Sequence, residues 1–442
     1  MPVIEKISSS LDFPKHADAV IIGAGIIGMA TALELQDRGL GVVVVEKGEV
    51  AAEQSSRNWG WCRQMGRDPR ELPLIRIAID LWRGMNQRIG AETGFRTCGI
   101  SYLAETPEQA AGYETWVAAH GKSHGLSTRL LSASQVAETA PGSTIKWQGG
   151  IFTPDDGRAE PFIAVPAMAK YFQSRGGKIF TRCAARGIET KAGRVCSVVT
   201  ETATIATDTA IVAGGYWSSR FLGNTGIRFP QLGVVNSVMR TAPLDIGPDR
   251  TFSGNTFAVR KRLDGGFTVA HNHLSVAELT PQHFQFFTDF LPLLKLEHRA
   301  IKLRVGRRLI EEWKMARHWK LDQSSPFEQV RILDPVPYES VMAEALQGLQ
   351  KAFPVFQGIQ ILEQWGGMID ATPDAVPVID RIDSIPGLHL ASGFSGHGFG
   401  LGPGAGKLMA EIVTGETPCV DPQPFRFARF TDGSKPRPTT GV

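Results

Sequence analysis

The sequence has few cysteines, little net charge and no long apolar run, and each shortage excludes a class of protein. Its cysteines are Cys62, Cys98, Cys183, Cys196 and Cys419. They are odd in number and form no CxxC pair, so we expect reduced thiols and no disulfide framework, and we predict no metal site. The net charge of +3 over 442 residues gives no reason to expect nucleic-acid binding.

Membrane-spanning and secreted classes are also disfavoured. No stretch holds the roughly 20 consecutive apolar residues that a transmembrane helix needs. Residues 1–18 lack the apolar core of a signal peptide. We therefore expect a cytoplasmic protein with no transmembrane segment, and we leave peripheral membrane association open. The hydrophobic content of 42% is typical of a globular chain large enough for two or three domains.

The clearest motif spans residues 19–46. An apolar run ends in Gly23-x-Gly25-x-x-Gly28, a helical pattern follows, and a second apolar run closes on Glu46. This is a strand–turn–helix–strand unit with a dinucleotide fingerprint, in which Gly23 allows the turn, Gly25 admits a pyrophosphate and Gly28 lets the helix press on the sheet. Glu46 can bind both ribose hydroxyls and disfavours a 2′-phosphate. The alternative is a glycine-rich turn in an ordinary α/β domain.

A polar loop, residues 47–70, follows this unit directly. It begins with Lys47 and continues with the donors Ser55, Ser56, Arg57 and Asn58. We expect these residues to bind the phosphates and one edge of the cofactor, with Trp59, Trp61 and Arg63 facing the reaction centre. The alternative is a surface loop that its tryptophans anchor to the core.

Two further glycine-rich segments follow apolar strands. The first strand ends in Gly214-Gly215-Tyr216-Trp217, which indicates either a second approach of the backbone to the cofactor, through Gly214 and Trp217, or a tight strand–helix turn. The second segment leads into a helix, whose positive end would face an electron-rich group. Its candidate contacts are Gly396, His397, Gly398, Phe399 and Gly400.

The rest of the chain indicates two interleaved domains, because no repeat or low-complexity linker separates them. Residues 226–359 contain alternating patterns that are typical of antiparallel strands, and residues 281–317 have a long helical pattern. The predicted class is α/β (α+β overall): a Rossmann-like cofactor-binding domain and a catalytic domain on a large mixed or antiparallel sheet. We assign residues 1–80, 150–225 and 360–442 to the first domain, and residues 81–149 and 226–359 to the second.

Four segments together resemble the D-amino acid oxidase superfamily of FAD enzymes. They read GAGIIG…VVVVE, IVAGGYWS, TPD…P at residues 372–377, and GFSGHGFGLGPGAGKLMAE. The resemblance covers nearly the whole chain and implies an FAD domain interleaved with a domain on a large antiparallel sheet. It further implies that Ala184 or Ala185 contacts the adenine and that residues 396–402 run along the flavin.

The resemblance also implies a reaction. Members usually oxidise a C–N bond: a neutral amine gives a hydride to flavin N5, and the imine hydrolyses. We therefore expect an amine or amino acid oxidoreductase that uses O2, a quinone or another electron acceptor. Two alternatives remain open, a 2-hydroxy acid dehydrogenase and a flavin-binding subunit of a larger electron-transfer complex.

Three departures from the family pattern bear on the chemistry. Relatives that act on α-amino acids often carry an arginine where this chain has Ile369, with Asp370 beside it. Either Arg63 or another arginine therefore binds the substrate carboxylate, or the substrate has a cationic or neutral group at this place. Asp370 either attracts an ammonium group or caps a turn. Thr268 stands about where some relatives have an oxygen-activating lysine, and nearby His271 either substitutes for it or is structural. No cysteine lies in the late glycine loop, so we expect non-covalent FAD. The catalytic candidates are Arg63, Asp370 and His271.

Overall fold

The structure is a computed structural model that describes residues 3–247, 249, 251–298, 300–434 and 437–439. Its strands are β1 (Ala19–Ile22), β2 (Val42–Val45), β3 (Trp61–Cys62), β4 (Arg96–Thr97), β5 (Ile100–Ala104), β6 (Arg129–Leu131), β7 (Gly149–Thr153), β8 (Gly157–Arg158), β9 (Lys178–Phe180), β10 (Ala185–Lys191), β11 (Arg194–Thr200), β12 (Thr204–Ala206), β13 (Ala210–Val212), β14 (Leu232–Thr241), β15 (Thr251–Ser253), β16 (Ala258–Lys261), β17 (Phe267–Ala270), β18 (Ser275–Glu278), β19 (Ile301–Arg304), β20 (Ile361–Ala371), β21 (Val378–Arg381) and β22 (Leu388–Ser392).

The α-helices connect and cover these strands. They are α1 (Ile26–Asp37), α2 (Gln54–Arg57), α3 (Leu72–Ile89), α4 (Pro107–His120), α5 (Ala133–Thr139), α6 (Pro161–Ser174), α7 (Ser218–Asn224), α8 (Pro281–Gln285), α9 (Phe287–Glu297), α10 (Arg307–Lys314), α11 (Pro326–Gln329), α12 (Glu339–Ala352) and α13 (Gly398–Thr414). Within the described ranges, no helix is long and apolar enough to cross a membrane.

A six-stranded sheet is built on the first apolar runs of the sequence. Its order is β21–β22–β13–β1–β2–β9, and all neighbours are parallel except β21 and β22. Val20, Val43 and Val212 are fully or almost fully buried, as expected for parallel strands that are covered on both faces. Helix α1 packs against α13, so the two helices that follow glycine-rich turns lie side by side.

A ten-stranded sheet forms the second layer. Its path is β19–β18–β14–β17–β16–β15–β5–β7–β6, and β20 pairs with β14. The β14–β20 ladder is antiparallel and runs from Leu232 opposite Ala371 to Thr241 opposite Ile361. Most other pairs in this sheet are also antiparallel, the exceptions being β5 with β15 and β18 with β19. One largely parallel sheet and one large mixed sheet confirm the predicted fold class.

The segment 281–317 differs from the single long helix that its pattern predicts. It contains three helices, α8, α9 and α10, and the strand β19. β19 pairs in parallel with β18, from Ser275 opposite Ile301 to Glu278 opposite Arg304. A local helical pattern is overridden here by hydrogen bonding to a neighbouring strand, which the periodicity of the segment does not encode.

The predicted domain boundaries stay a proposal. The strands of the six-stranded sheet come from residues 19–45, 178–212 and 378–392, and each range falls in a different segment assigned to the cofactor domain. Strand β20 begins at Ile361, inside the third of those segments, yet it pairs within the ten-stranded sheet. The chain therefore passes between the two sheets several times.

Candidate functional site

A cavity lies where the carboxyl ends of β1, β2, β13 and β22 face strand β20 of the larger sheet. Its empty space, including the solvent at its mouth, is about 1200 Å³. Open α/β sheets bind ligands outside the carboxyl ends of their strands. The cavity therefore occupies the position at which the six-stranded sheet would hold a cofactor.

The turn from β1 into α1 forms one end of the cavity. Gly23 has a φ of +111°, and a Cβ there would lie 2.5 Å from the carbonyl oxygen of Ala213, so this turn requires glycine. At Gly28, a Cβ would lie 2.0 Å from the carbonyl oxygen of Gly23, which keeps the helix tight against the turn. The N–H of Ile26 donates to Ser55 Oγ at 2.9 Å. The positive end of α1 thus faces the cavity beside a hydroxyl group.

Glu46 lies at the end of β2 with its carboxylate held in place by the backbone. One oxygen accepts from the N–H of Ala24 and the other from the N–H of Gly48, each at 2.8 Å. Burial raises the pKa of Glu46, and the Lys47 ammonium and the two N–H groups oppose that rise. A fixed carboxylate with further lone pairs toward the cavity is suited to accept hydrogen bonds from ribose hydroxyls.

The second glycine-rich loop reaches the same cavity. Gly396, Gly398 and Phe399 line it, and α13 begins at Gly398. The Nδ1 of His397 lies 2.8 Å from Glu71 Oε2 behind this loop. Two helix N-termini that are far apart in sequence therefore meet around one space, where their dipoles favour negative charge on a bound molecule.

Most of the predicted cofactor residues line this cavity. They are Gly23, Gly25, Glu46, Lys47, Ser55, Asn58, Ala185, Gly214, Trp217, Gly396, Gly398 and Phe399. Asp370, a predicted catalytic residue, also lines it.

The remaining predicted cofactor residues do not line the cavity. They are Gly28, Ser56, Arg57, Ala184, His397 and Gly400. Arg57 is buried and donates to the carbonyl oxygens of Ala52 at 3.1 Å and Gly366 at 3.0 Å. It thereby ties the polar loop to β20. The carbonyl oxygen of Gly400 accepts from Trp82 Nε1 at 3.0 Å, which fixes α13 against α3.

Asp370 sits in a buried polar network. Its carboxylate accepts from the N–H of Gly393 at 2.8 Å and from Gln231 Nε2 at 3.2 Å. Burial raises the pKa of Asp370 to about 6, against the opposing effect of its hydrogen bonds. These bonds tie β20 to the end of β22, and the same carboxylate borders the cavity.

The other two predicted catalytic residues do not line the cavity. The Arg63 guanidinium lies 5.6 Å from the centre of the Tyr102 ring and donates to the carbonyl oxygen of Met65. His271 accepts at Nδ1 from two backbone N–H groups, and its Nε2 lies 3.7 Å from Glu344 Oε1. Their catalytic roles stay predictions.

Sequence reasoning missed several wall residues. Glu53 accepts from Lys47 and from Trp217 Nε1, and Tyr216, Met368 and Phe327 add apolar surface. Glu53 lies inside the polar loop that the sequence singled out, so its carboxyl group was a detectable signal. Phe327 had no such signal, because nothing near it in the sequence marks a binding segment.

The wall fits a nucleotide cofactor such as FAD. Gln54 lines the cavity, and its Oε1 is buried and without a hydrogen-bond partner among the described residues, so this part of the wall has an acceptor that the protein leaves unused. Together with the Glu46 carboxylate and two helix ends, this supplies acceptors for hydroxyls and positive ends for phosphates. No group of three or more potential metal-binding side chains occurs in the part of the chain that the structure describes.

Comparison with known proteins places the chain among flavin enzymes. Residues 18–412 match the protein family described as FAD dependent oxidoreductase. Among solved structures, L-amino acid deaminase from Proteus myxofaciens in complex with anthranilate is 34% identical, with a TM-score of 0.93 and 97% of each chain covered. L-amino acid deaminase from Proteus vulgaris is 32% identical, with a TM-score of 0.92 over 96% of this chain and 100% of that chain. Glycine oxidase of Pseudomonas aeruginosa is 23% identical over 92% of this chain and 97% of its own length.

Proposed function

Because the chain belongs to the family of FAD-dependent oxidoreductases and FAD is its cofactor, we propose that it oxidises the C–N bond of an L-α-amino acid. The observation that carries this proposal is the likeness to two L-amino acid deaminases over nearly the whole chain, at about a third of identical residues. One of those structures contains anthranilate, a molecule with a carboxylate and an amino group.

The proposed reaction has two stages. The amino acid loses a proton from nitrogen and a hydride from the α-carbon, so that a C=N bond forms. FAD, when bound, supplies the acceptor for that hydride at its N5 atom. Water then adds to the imine, which releases ammonia and leaves a 2-oxo acid. The protein's task is to hold a neutral amine in position and to exclude competing water.

We assign the cofactor contacts from the lining of the cavity. Glu46 would bind the ribose of the adenosine. Lys47, whose Nζ lies 4.6 Å from the centre of the Trp217 ring, would flank the same end. Ser55 and the start of α1 would bind the phosphates. The start of α13 would lie along the flavin and favour its reduced, negatively charged form.

The substrate carboxylate needs a cation that β20 does not supply. Ile369 occupies the position of the missing arginine. Its side chain lies 3.5 Å from where a Cβ at Gly396 would be, so an apolar group faces the glycine-rich loop before α13.

Two neighbouring arginines, Arg63 and Arg67, offer the cation instead. Arg67 is buried, its Nε donates to the carbonyl oxygen of Arg63 at 3.2 Å, and its Nη1 has no partner among the described residues. Burial and the neighbouring Arg63 lower the pKa of Arg67 to about 10. A carboxylate bound by Arg63 would relieve this repulsion, and we propose that role for it.

The electron acceptor is proposed to be a quinone or another carrier in preference to O2. The chain has Thr268 in β17 at the expected place of an oxygen-activating lysine. Thr268 is buried, and its Oγ1 accepts from Arg262 Nη1 at 3.3 Å. Because the Arg262 guanidinium is already bound to Thr268, it would activate O2 less well than the free ammonium group of a lysine.

Anaerobic titration of the FAD-loaded protein tests the proposal. The panel holds L- and D-amino acids, N-methylated amino acids, polyamines and 2-hydroxy acids, and loss of the visible flavin absorbance reports reduction. We expect L-amino acids to bleach the flavin, and reoxidation to be faster with a quinone analogue than with air. Bleaching by 2-hydroxy acids alone would reject the amine chemistry. A flavin that no substrate reduces, in a protein that copurifies with a second subunit, would favour the electron-transfer subunit.

A further inference from the structure

Residues 326–335 extend from the cavity wall across the back of the polar loop. We call this segment the crossing segment. Phe327, near its start, lines the cavity and makes an edge contact with Trp217, with ring centres 5.9 Å apart. The following residues do not line the cavity, but they bind several residues that do. The segment therefore lies behind the wall that Glu46 and Lys47 form.

Backbone groups of the crossing segment bind charged side chains of the wall. Lys47 Nζ donates to the carbonyl oxygens of Val330 at 2.9 Å and Arg331 at 3.0 Å. The N–H of Leu333 donates to Glu53 Oε1 at 2.9 Å. The same glutamate binds Lys47 and Trp217 Nε1, so one carboxylate joins the segment to two wall residues.

Ion pairs fasten the crossing segment at two points. Arg331 Nη2 donates to Glu201 Oε2 at 2.6 Å, and its Nη1 donates to the carbonyl oxygen of Lys47 at 3.2 Å. Hydrogen bonding to Glu201 raises the pKa of Arg331, so this cation stays charged. Further along, Asp334 pairs with the buried Arg57.

The contact at Gly48 leaves no room for a side chain. A Cβ there would lie 2.3 Å from the carbonyl oxygen of Arg331 and 3.0 Å from Ile332 Cγ1. Gly48 also donates its N–H to the Glu46 carboxylate. The crossing segment is thus pressed directly against the residue that orients the proposed ribose acceptor.

We propose that residues 326–335 are a latch that holds together the wall formed by Glu46 and Lys47, and that this wall must loosen, through opening of the latch, for FAD to enter or leave. This rests on the assignment of the cavity to FAD. A closed latch held by several separate contacts opens rarely, which slows entry and exit alike. Slow exit would keep FAD in the protein although no covalent bond attaches it.

Two substitutions weaken the latch at different contacts. Gly48→Ala pushes the segment outward, and Arg331→Gln removes the ion pair with Glu201. Matched controls are Gly84→Ala in α3, where a Cβ meets nothing within 4 Å, and Arg228→Gln, which breaks the exposed pair with Asp289. FAD release is measured by diluting the loaded protein into an excess of an unrelated FAD-binding apoprotein, which traps the released FAD. FAD uptake is measured by mixing the apoprotein with FAD.

We expect Arg331→Gln to speed release and uptake by about tenfold, the change expected from losing one charged hydrogen bond. Gly48→Ala should speed both through the steric clash with the segment, and the controls should leave both rates unchanged. Higher ionic strength should speed exchange in the unmodified protein and have little effect on Arg331→Gln, because salt screens a partly exposed ion pair.

Three results would overturn the latch. Faster release with unchanged uptake would mean that the segment only adds binding energy. Unchanged rates in both variants, with normal FAD binding, would remove the segment from cofactor exchange and leave the cavity assignment intact. Failure of the unmodified protein to bind FAD would overturn the cavity assignment together with the latch.

Discussion

The Glu46 carboxylate accepts a hydrogen bond from the backbone N–H of Ala24 at 2.8 Å, and this bond joins the end of β2 to the turn after β1. The second carboxylate oxygen accepts from the N–H of Gly48 at the same distance. Only a carboxylate can accept a hydrogen bond from both N–H groups, because it has an acceptor oxygen at each of its two terminal atoms. The arrangement makes position 46 sensitive to the loss of one oxygen.

Glu46→Gln should weaken FAD binding by about 10- to 100-fold, because the amide NH2 then faces a backbone N–H and a charge-assisted acceptor is lost. Titration of the apoprotein with FAD, followed by flavin fluorescence, gives the dissociation constant. Glu114→Gln, at an exposed position on α4, serves as the control. An unchanged dissociation constant would contradict the assignment of Glu46 to the ribose.

Arg63→Ala should lower kcat/KM by 10²-fold or more, on the order of 3 kcal/mol, if Arg63 binds the substrate carboxylate. The matched control is Arg129→Ala, since Arg129 is exposed and lies 5.4 Å from the centre of the Phe152 ring, a similar cation–aromatic contact. Steady-state kinetics with the best amino acid of the panel measure the effect. A near-normal value would remove Arg63 from the site.

Glu160→Gln should lower the free energy of unfolding by about 3–5 kcal/mol, because it leaves the Arg260 guanidinium buried without a counter-charge. The two side chains are almost fully buried and form bonds of 2.9 and 3.1 Å. Urea unfolding of the variant measures the loss. The double variant Glu160→Gln with Arg260→Met should recover part of it, and an equally unstable double variant would mean that the unpaired charge is not the cause.

Asp370 should make stability fall as the pH rises from about 4 to about 6. Its pKa in the folded protein, about 6, is above the ordinary value near 3.8, so the folded state binds the proton more tightly than the unfolded state. The asparagine of Asp370→Asn cannot ionise. The free energy of unfolding of this variant should therefore decrease by about 2–3 kcal/mol less over the same pH range. Urea unfolding of the apoprotein at several pH values, with Asp12→Asn at an exposed site as the control, measures it. Parallel pH profiles of the variant and the unmodified protein would contradict the shift.

Many residues that line the cavity were predictable because the sequence signals for them are local. A tight turn at Gly23 and a carboxylate at Glu46 follow from spacing within one strand–helix–strand unit, and the turn before α13 has a similar local pattern. The family, the cofactor, the enzyme class and the mixed α/β fold predicted from these segments are all confirmed.

The parts that escaped prediction depend on contacts between distant residues. Lys47 meets Val330 and Arg331 across more than half of the chain, and no periodicity or motif near residue 330 marks that contact. The strand β19 likewise exists because β18 offers it a partner. The catalytic roles of His271 and Asp370 stay predictions.

The pairing of β14 with β20 and the late position of α13 also determine when the cavity can exist. Its wall needs the turn at Gly23 and also Met368, Asp370 and the loop before Phe399, which are synthesised much later than that turn. Partners so far apart form slowly, and larger proteins pass through incomplete intermediates. A nascent chain that still lacks β22 and α13 lacks part of this wall, so we expect FAD to bind only after these segments have been synthesised.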